Sequence, residues 1–102
     1  MYSIIVYIPS SHLDQVKEAM FEAGAGKIGQ YDRCCWQVVG EGQFRPLAQS
    51  NPYTGDEGEQ NSVSEYRVEM ICDLDHVAAV IRAMQDAHPY ETPAYHYFEV
   101  HP

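Results

Sequence analysis

The sequence predicts an α+β fold in which a four-stranded antiparallel sheet carries two helices on one face. Four segments of the chain alternate between apolar and polar residues with the two-residue period of strands. Two further segments repeat with the 3.6-residue period of amphipathic helices. They follow in the order strand, helix, strand, strand, helix, strand, which is the order of a ferredoxin-like βαββαβ sandwich. At 102 residues, the chain is expected to form a single domain over residues 1–102.

The first strand and helix occupy the beginning of the chain. Residues 2–8 alternate and are apolar on both faces, which predicts a central strand that ends at Pro9. Ser10 or Ser11 is predicted to cap the following helix. The glycines within residues 24–26 are expected to end it. Its apolar stripe is formed by Leu13, Val16, Met20 and Phe21.

The second and third strands are separated by an unusually long connection. Residues 31–39 alternate as a second strand, and Gly40 and Gly42 are expected to break it. Residues 41–61 carry Gly, Pro, Asn and acidic residues without periodicity, which predicts a long loop. Residues 63–72 then alternate as a half-buried third strand.

The second helix and the last strand complete the pattern. Asp73 or Asp75 is predicted to cap a helix with an apolar stripe that reaches His88. Pro89 must stop this helix, because proline disfavours helical dihedral angles at the residue before it. Residues 95–100 form the fourth predicted strand.

The sheet is expected to have a second apolar face. We expect the helices to cover the face that carries Ile4, Val6, Trp36, Val68 and Met70. The opposite face then carries Ile5, Tyr7, Cys35, Val39, Ile71, Tyr95 and Tyr97. Because this face is too apolar to remain in water, the sequence predicts self-association into a closed cyclic assembly.

Charge and composition exclude several classes of partner. Six basic and fifteen acidic residues give a net charge of −9, which repels nucleic acids and anionic membranes. The N-terminus lacks the features of a secretory signal, and no apolar run is long enough to span a membrane. We therefore expect a cytoplasmic location and three free cysteines.

The turn after the second helix clusters polar side chains in a short connection. Pro89 and Pro93 restrict its conformation, so a ligand would meet a preformed surface. The predicted ligand-binding residues are those of this turn and of the start of the long loop: His88, Tyr90, Glu91, Thr92, Gly42 and Phe44.

His88 allows two interpretations. With Glu91 it provides nitrogen and oxygen ligands for a divalent metal ion, although a third ligand would have to come from another loop or subunit. Alternatively, its imidazole closes the helix by hydrogen-bonding a terminal carbonyl. No complete catalytic constellation is recognisable, so no catalytic residue is assigned and an enzymatic role is disfavoured.

Several short motifs together resemble a known family. In chain order they are Gly24-Ala25-Gly26, Ile28-Gly29-Gln30-Tyr31, Gly40-Glu41-Gly42-Gln43-Phe44-Arg45-Pro46, Asn51-Pro52, Glu65-Tyr66-Arg67-Val68-Glu69 and Ala87-His88-Pro89-Tyr90-Glu91. This set resembles the inserted domain of the Nif-three-like proteins, a dinuclear-metal family labelled type-two GTP cyclohydrolase-like. The resemblance implies a stand-alone module similar to the PII signalling and divalent-cation-tolerance proteins, and hence a homotrimer. The family's dinuclear site lies in segments outside the insert and is not carried over.

Three functions remain open at this stage. The first is a non-catalytic, trimeric module that binds a small ligand or metal ion and regulates or assists a partner protein. The second is a metal-dependent hydrolase-like enzyme with a site between subunits. The third is a purely structural assembly domain. Thr92 stands where the family has a second glutamate, which weakens a site built on adjacent carboxylates.

Overall fold

The computed structural model describes residues 1–102 and confirms the predicted order of strands and helices. The elements are β1 (Tyr2–Pro9), a 3₁₀ turn (Ser10–His12), α1 (Leu13–Glu22), β2 (Trp36–Phe44), β3 (Asn61–Cys72), α2 (Val77–Ala87) and β4 (Tyr95–Glu99). Neither α-helix has the length and apolar character needed to cross a membrane.

The four strands form one antiparallel sheet in the order β2-β3-β1-β4. The two inner strands, β1 and β3, pair along their whole facing length, with Val6 opposite Val68. On its other side, β1 pairs with β4, where Val6 lies opposite Tyr95. The predicted central position of the first strand is therefore confirmed.

The hydrophobic core lies between one face of this sheet and the two helices. Val16 and Met20 of α1 and Val80 and Met84 of α2 are fully buried against it. The sheet contributes Ile4, Val6, Ile8, Val68, Met70 and Cys72. Each buried aliphatic side chain stabilises the fold by about 1.5–3 kcal/mol, so this layer holds the helices to the sheet.

The predicted faces of the two edge strands are wrong by one residue. Gln37 lies opposite Val68, and its side-chain oxygen accepts a hydrogen bond from Lys17 of α1. Cys35, Gln37 and Val39 therefore share the helix-covered face, whereas Trp36 and Val38 lie on the other face. Likewise, Tyr95 and Tyr97 lie opposite core residues of β1 and share the helix-covered face. The expectations for Trp36, Cys35, Val39, Tyr95 and Tyr97 are thus corrected.

The second strand begins and ends later than predicted. Ile28 and Tyr31 form a tight turn that precedes it, and the strand continues through Gly40 and Gly42. Both glycines pair with β3, opposite Glu65 and Val63. The connection between the two strands is consequently shorter than predicted and spans residues 45–60.

The helix starts also differ from the expected caps. The serines form the 3₁₀ turn, and no side chain caps α1. At α2, the Oδ1 atom of Asp73 accepts hydrogen bonds from the backbone N–H and the ring Nδ1 of His76. Asp73 therefore holds the turn before the helix, whereas Asp75 makes no such contact.

The sheet face away from the helices carries exposed apolar side chains, and we call it the open face. Trp36 is 60% exposed, Val38 44% and Phe98 50%. Ile5 and Tyr7 share this face, because they alternate with the core residues of β1, but Ile5 is fully buried. The ion pair of Arg67 and Glu69 on β3 separates them from Trp36 and Val38. Single exposed apolar residues are ordinary, but several exposed apolar side chains on one sheet face are typical of an interaction surface.

Candidate ligand-binding cleft

The turn after α2 is fixed to the sheet by His88. The helix ends at Ala87, and His88 has extended dihedral angles. In a strand, the N–H and C=O of one residue point toward the same neighbouring strand. The N–H of Tyr7 donates to the carbonyl of Ala94, and the ring Nε2 of His88 donates to the Tyr7 carbonyl at 2.8 Å. His88 thus supplies the donor for a carbonyl beyond the end of the β1–β4 ladder.

The second ring nitrogen of His88 is also engaged. Its Nδ1 atom accepts a hydrogen bond from the backbone N–H of Tyr90 at 3.2 Å. This pattern assigns the neutral tautomer with the proton on Nε2. Burial, opposed by the hydrogen bond to Tyr7 and reinforced by His12, lowers the pKa of His88. The imidazole is therefore a neutral strut between α2, the turn and β1.

The loop of residues 45–60 packs on this turn through an aromatic series. The ring of Tyr53 lies 5.8 Å from that of His12 and 6.2 Å from that of Tyr90, between centroids. The Tyr90 ring in turn lies 4.9 Å from His88. The loop is also held by the backbone N–H of Asn51, which donates to Oε1 of Glu91 at 2.9 Å. Its first half is therefore docked on its own chain.

A cleft of about 250 Å³ lies between this loop, the turn and the ends of β2 and β3. Its aromatic lining consists of Tyr7, Phe44, Tyr53 and Tyr90, and its acidic lining of Glu65 and Glu91. Tyr7, Gly42 and Glu65 also line a second, more open depression on the open face. The cleft is thus continuous with the surface that is predicted to self-associate.

Glu65 is the half-buried acidic group of the cleft. Its carboxylate lies directly over Gly42, where a Cβ atom would overlap Oε1 and stand 2.7 Å from the carboxyl carbon. Burial raises the pKa of Glu65, and no side chain forms a hydrogen bond or ion pair with it. The neighbouring cation Arg67 pairs instead with Glu69, at 3.3 Å. Gly42 is therefore needed to leave room for this carboxylate.

Tyr90 lies close to this carboxylate. Its pKa is raised, first by burial and then by the negative charge of Glu65 and by Tyr53. Ionising Tyr90 would place a second anion beside Glu65. The phenol therefore stays protonated and presents an O–H donor to the cleft.

The structure brings together most of the residues predicted for the site. Gly42, Phe44, Tyr90, Glu91 and Thr92 all line the cleft. His88 does not line it and supports it from behind through its bond to Tyr90.

The predicted metal site remains a prediction. Both ring nitrogens of His88 and one oxygen of Glu91 are occupied by hydrogen bonds within the chain. No group of three or more His, Cys, Asp or Glu side chains is placed to hold a metal ion. The helix-closing alternative is also modified, because His88 bonds a strand carbonyl rather than a helix carbonyl.

Three important lining residues, Tyr7, Tyr53 and Glu65, were not among the site residues predicted from the sequence. Tyr7 was predicted only as part of a strand face, and Glu65 only as part of the third strand and of one family motif. The signal for Glu65 is a glycine inside a strand, because such a glycine often marks a close approach by another group. Gly42 is that glycine, but its diagonal neighbour is identified only by the register between β2 and β3.

Comparison with known proteins supports the resemblance noted in the sequence. No family model matches the chain. It is 45% identical over 98 residues to a protein of Mycobacterium leprae and 40% identical over 97 residues to one of Bacillus subtilis, both named GTP cyclohydrolase 1 type 2 homolog. The chain is homologous to one segment of these proteins. The match includes 96% and 95% of this chain but only 26% of each relative, so the chain spans about a quarter of their length.

Solved structures agree with this relationship and with the fold. A Bacillus cereus protein related to NIF3 superposes on 95% of this chain with a TM-score of 0.81 and 35% identity, using 24% of its own length. The divalent cation tolerance protein CutA from Archaeoglobus fulgidus covers the chain completely, with a TM-score of 0.70 and 16% identity over 86% of its length. At that identity the likeness to CutA shows the fold alone. The predicted PII-like, ferredoxin-like fold is confirmed.

Proposed function

We propose that this chain is a non-catalytic module that binds a small ligand in the cleft and regulates or assists a partner protein. The observation that supports it most strongly is the cleft itself. A half-buried carboxylate and four aromatic rings converge on a preformed space of about 250 Å³. Small-ligand sites are typically concave and mostly apolar, with a few oriented polar groups.

The state of His88 favours binding over catalysis. A general base needs a free lone pair within reach of the substrate. The lone pair of Nδ1 is taken by the Tyr90 N–H, and Nε2 donates to Tyr7. The first of these bonds stabilises the turn itself, and the second joins it to the sheet, so a reacting imidazole would have to give up one of them. The imidazole therefore serves better as a support of the site than as a reacting group.

We further propose that the module is a cytoplasmic homotrimer whose subunits meet on the open face. Trp36, Val38 and Phe98 give this face an apolar character, and the cleft opens onto it beside Tyr7. A second copy on this face would remove these exposed apolar side chains from water. It would also close the cleft from one side, which places the ligand at a subunit boundary.

The function is tested with a cleft-blocking variant. Thr92 is exposed, lines the cleft and makes no side-chain hydrogen bond, so Thr92→Trp should fill the space without disturbing the core. A diverse panel of small metabolites is added to the wild type and to this variant, and the melting temperature is measured. The control is Glu57→Trp, at an exposed position outside the cleft.

Binding in the cleft predicts that some compounds stabilise the wild type and Glu57→Trp, but not Thr92→Trp. If compounds stabilise all three proteins equally, ligand binding lies elsewhere. If no compound stabilises any of them, the structural assembly role replaces the binding role.

A further inference from the structure

The carboxylate of Glu65 is in an unusual electrostatic situation. It lies on the open face of β3, opposite Gly40 and over Gly42, where the chain provides no side chain to cover it. It is half-buried, and neither a hydrogen bond nor an ion pair compensates its charge. Burying an uncompensated charge costs free energy, and a cationic ligand would recover that cost.

The surroundings of Glu65 favour an organic cation. Tyr7, Phe44, Tyr53 and Tyr90 line the same cleft. The face of an aromatic ring carries partial negative charge and attracts ammonium and guanidinium groups, an interaction that strengthens where water is displaced. The neighbouring acid Glu91 adds negative charge at the rim, although one of its oxygens already accepts the Asn51 N–H.

The one cation that lines the cleft does not neutralise this site. Arg45 is exposed and forms no ion pair with either carboxylate. It follows Phe44 at the end of β2, so it lies at the edge where the loop of residues 45–60 begins. Removing its charge should strengthen the binding of a cation and weaken the binding of an anion. Substitution of Arg45 therefore distinguishes a cationic ligand from an anionic one.

The size of the cleft suits a small ligand. Its volume of about 250 Å³ lies just below the range of roughly 300–1,000 Å³ typical of sites for drug-sized molecules, and it adjoins the depression on the open face. A monoamine or a quaternary ammonium compound fits this space, whereas a nucleotide would have to extend onto the open face.

We propose that the cleft binds a small organic cation, with its ammonium group on the Glu65 carboxylate and its carbon skeleton among Tyr53, Tyr90 and Phe44. This inference rests on the proposed ligand-binding function and specifies the ligand class. Gly42 is then a specificity-determining residue, because it leaves the carboxylate open to the ligand. The phenol of Tyr90 lines the same site on the side of the turn.

The test compares three probes of one shape and different charge: benzylammonium, benzyl alcohol and benzoate. Each is titrated calorimetrically into the wild type, Glu65→Gln and Arg45→Gln, at neutral pH and low salt. Glu57→Gln is the matched control, because it removes the same charge from an exposed position outside the cleft. Gly42→Ala provides a second variant, since its methyl group must displace the Glu65 carboxylate.

Benzylammonium should bind the wild type and Glu57→Gln with the same affinity. A charge-assisted contact contributes about 1.5–3 kcal/mol, so Glu65→Gln should weaken binding about 10- to 100-fold. Gly42→Ala should also weaken it, and Arg45→Gln should strengthen it. Benzoate should not bind.

Three results would overturn the proposal. The first is a preference for benzoate that depends on Arg45, and the second is equal affinity for all three probes. The third is the failure of benzylammonium to bind. Binding of other compounds that is lost in Thr92→Trp would then preserve the ligand-binding function, whereas its absence would remove both proposals.

Discussion

Replacement of His88 by alanine tests the strut that organises the site. The substitution leaves the Tyr7 carbonyl and the Tyr90 N–H without their partners, and each unsatisfied group costs about 1–3 kcal/mol. Water entering from the neighbouring cleft will offset part of this cost, so we expect a net loss of about 2–4 kcal/mol. In a domain of this size the melting temperature should fall by about 10–25 °C.

The assay is urea unfolding followed by circular dichroism, at one protein concentration so that the contribution of the proposed association to stability stays constant. His101→Ala is the control, since His101 is highly exposed and should not affect the midpoint. If His88→Ala unfolds during purification, His88→Gln retains an amide donor and acceptor and should show a smaller loss. A loss below about 1 kcal/mol in His88→Ala would refute the reasoning, because it is less than one unsatisfied buried group costs.

Further predictions concern pH, assembly, thiol reactivity and metal. Folding lowers the pKa of His88, so the unfolded state binds more protons at mildly acidic pH. The free energy of unfolding should therefore decrease as pH falls below about 6.5, and this decrease should be absent in His88→Gln. Trp36→Glu should dissociate the assembly in light-scattering measurements, whereas Leu74→Glu, at an equally exposed position outside the sheet, should not; equal masses would contradict an open-face interface. Burial and the charge of Asp73 raise the pKa of Cys72 to about 11, which leaves little of the reactive thiolate. Iodoacetamide should therefore label the half-buried Cys34 first, and earlier labelling of Cys72 would contradict its buried position. Zinc should not raise the unfolding midpoint; a stabilisation that disappears in Glu91→Gln would restore the metal site.

The sequence predicts the order of the elements well, but not the face of every strand. The segment around Trp36 is apolar at both odd and even positions, so its alternation is compatible with either register. A slip of one residue exchanges the two faces completely. The face of each β2 residue is set by the pairing with β3 and by the hydrogen bond between Lys17 and Gln37. Both are contacts between residues distant in sequence. Tyr97 is misplaced for the same reason.

In the candidate site, too, features set by neighbouring residues are predictable from the sequence, whereas contacts between distant residues are not. The residues of the turn are clustered by the two prolines, so their common location is predictable. The role of His88 is not, because its partner Tyr7 lies 81 positions away in sequence. Glu65 enters the cleft through a diagonal contact with Gly42 across two strands. Such a contact becomes visible only when the register is known.

A site-resolved titration tests the central claim, ligand binding in the cleft, most directly. The wild-type protein is labelled with ¹⁵N, and the amide signals are followed as a stabilising compound from the metabolite panel is added. We predict saturable shifts concentrated at Phe44, Tyr53, Glu65 and Tyr90, with one ligand bound per chain and no such shifts in Thr92→Trp. Saturable shifts confined to the open face around Trp36, or identical shifts in Thr92→Trp, would contradict the account.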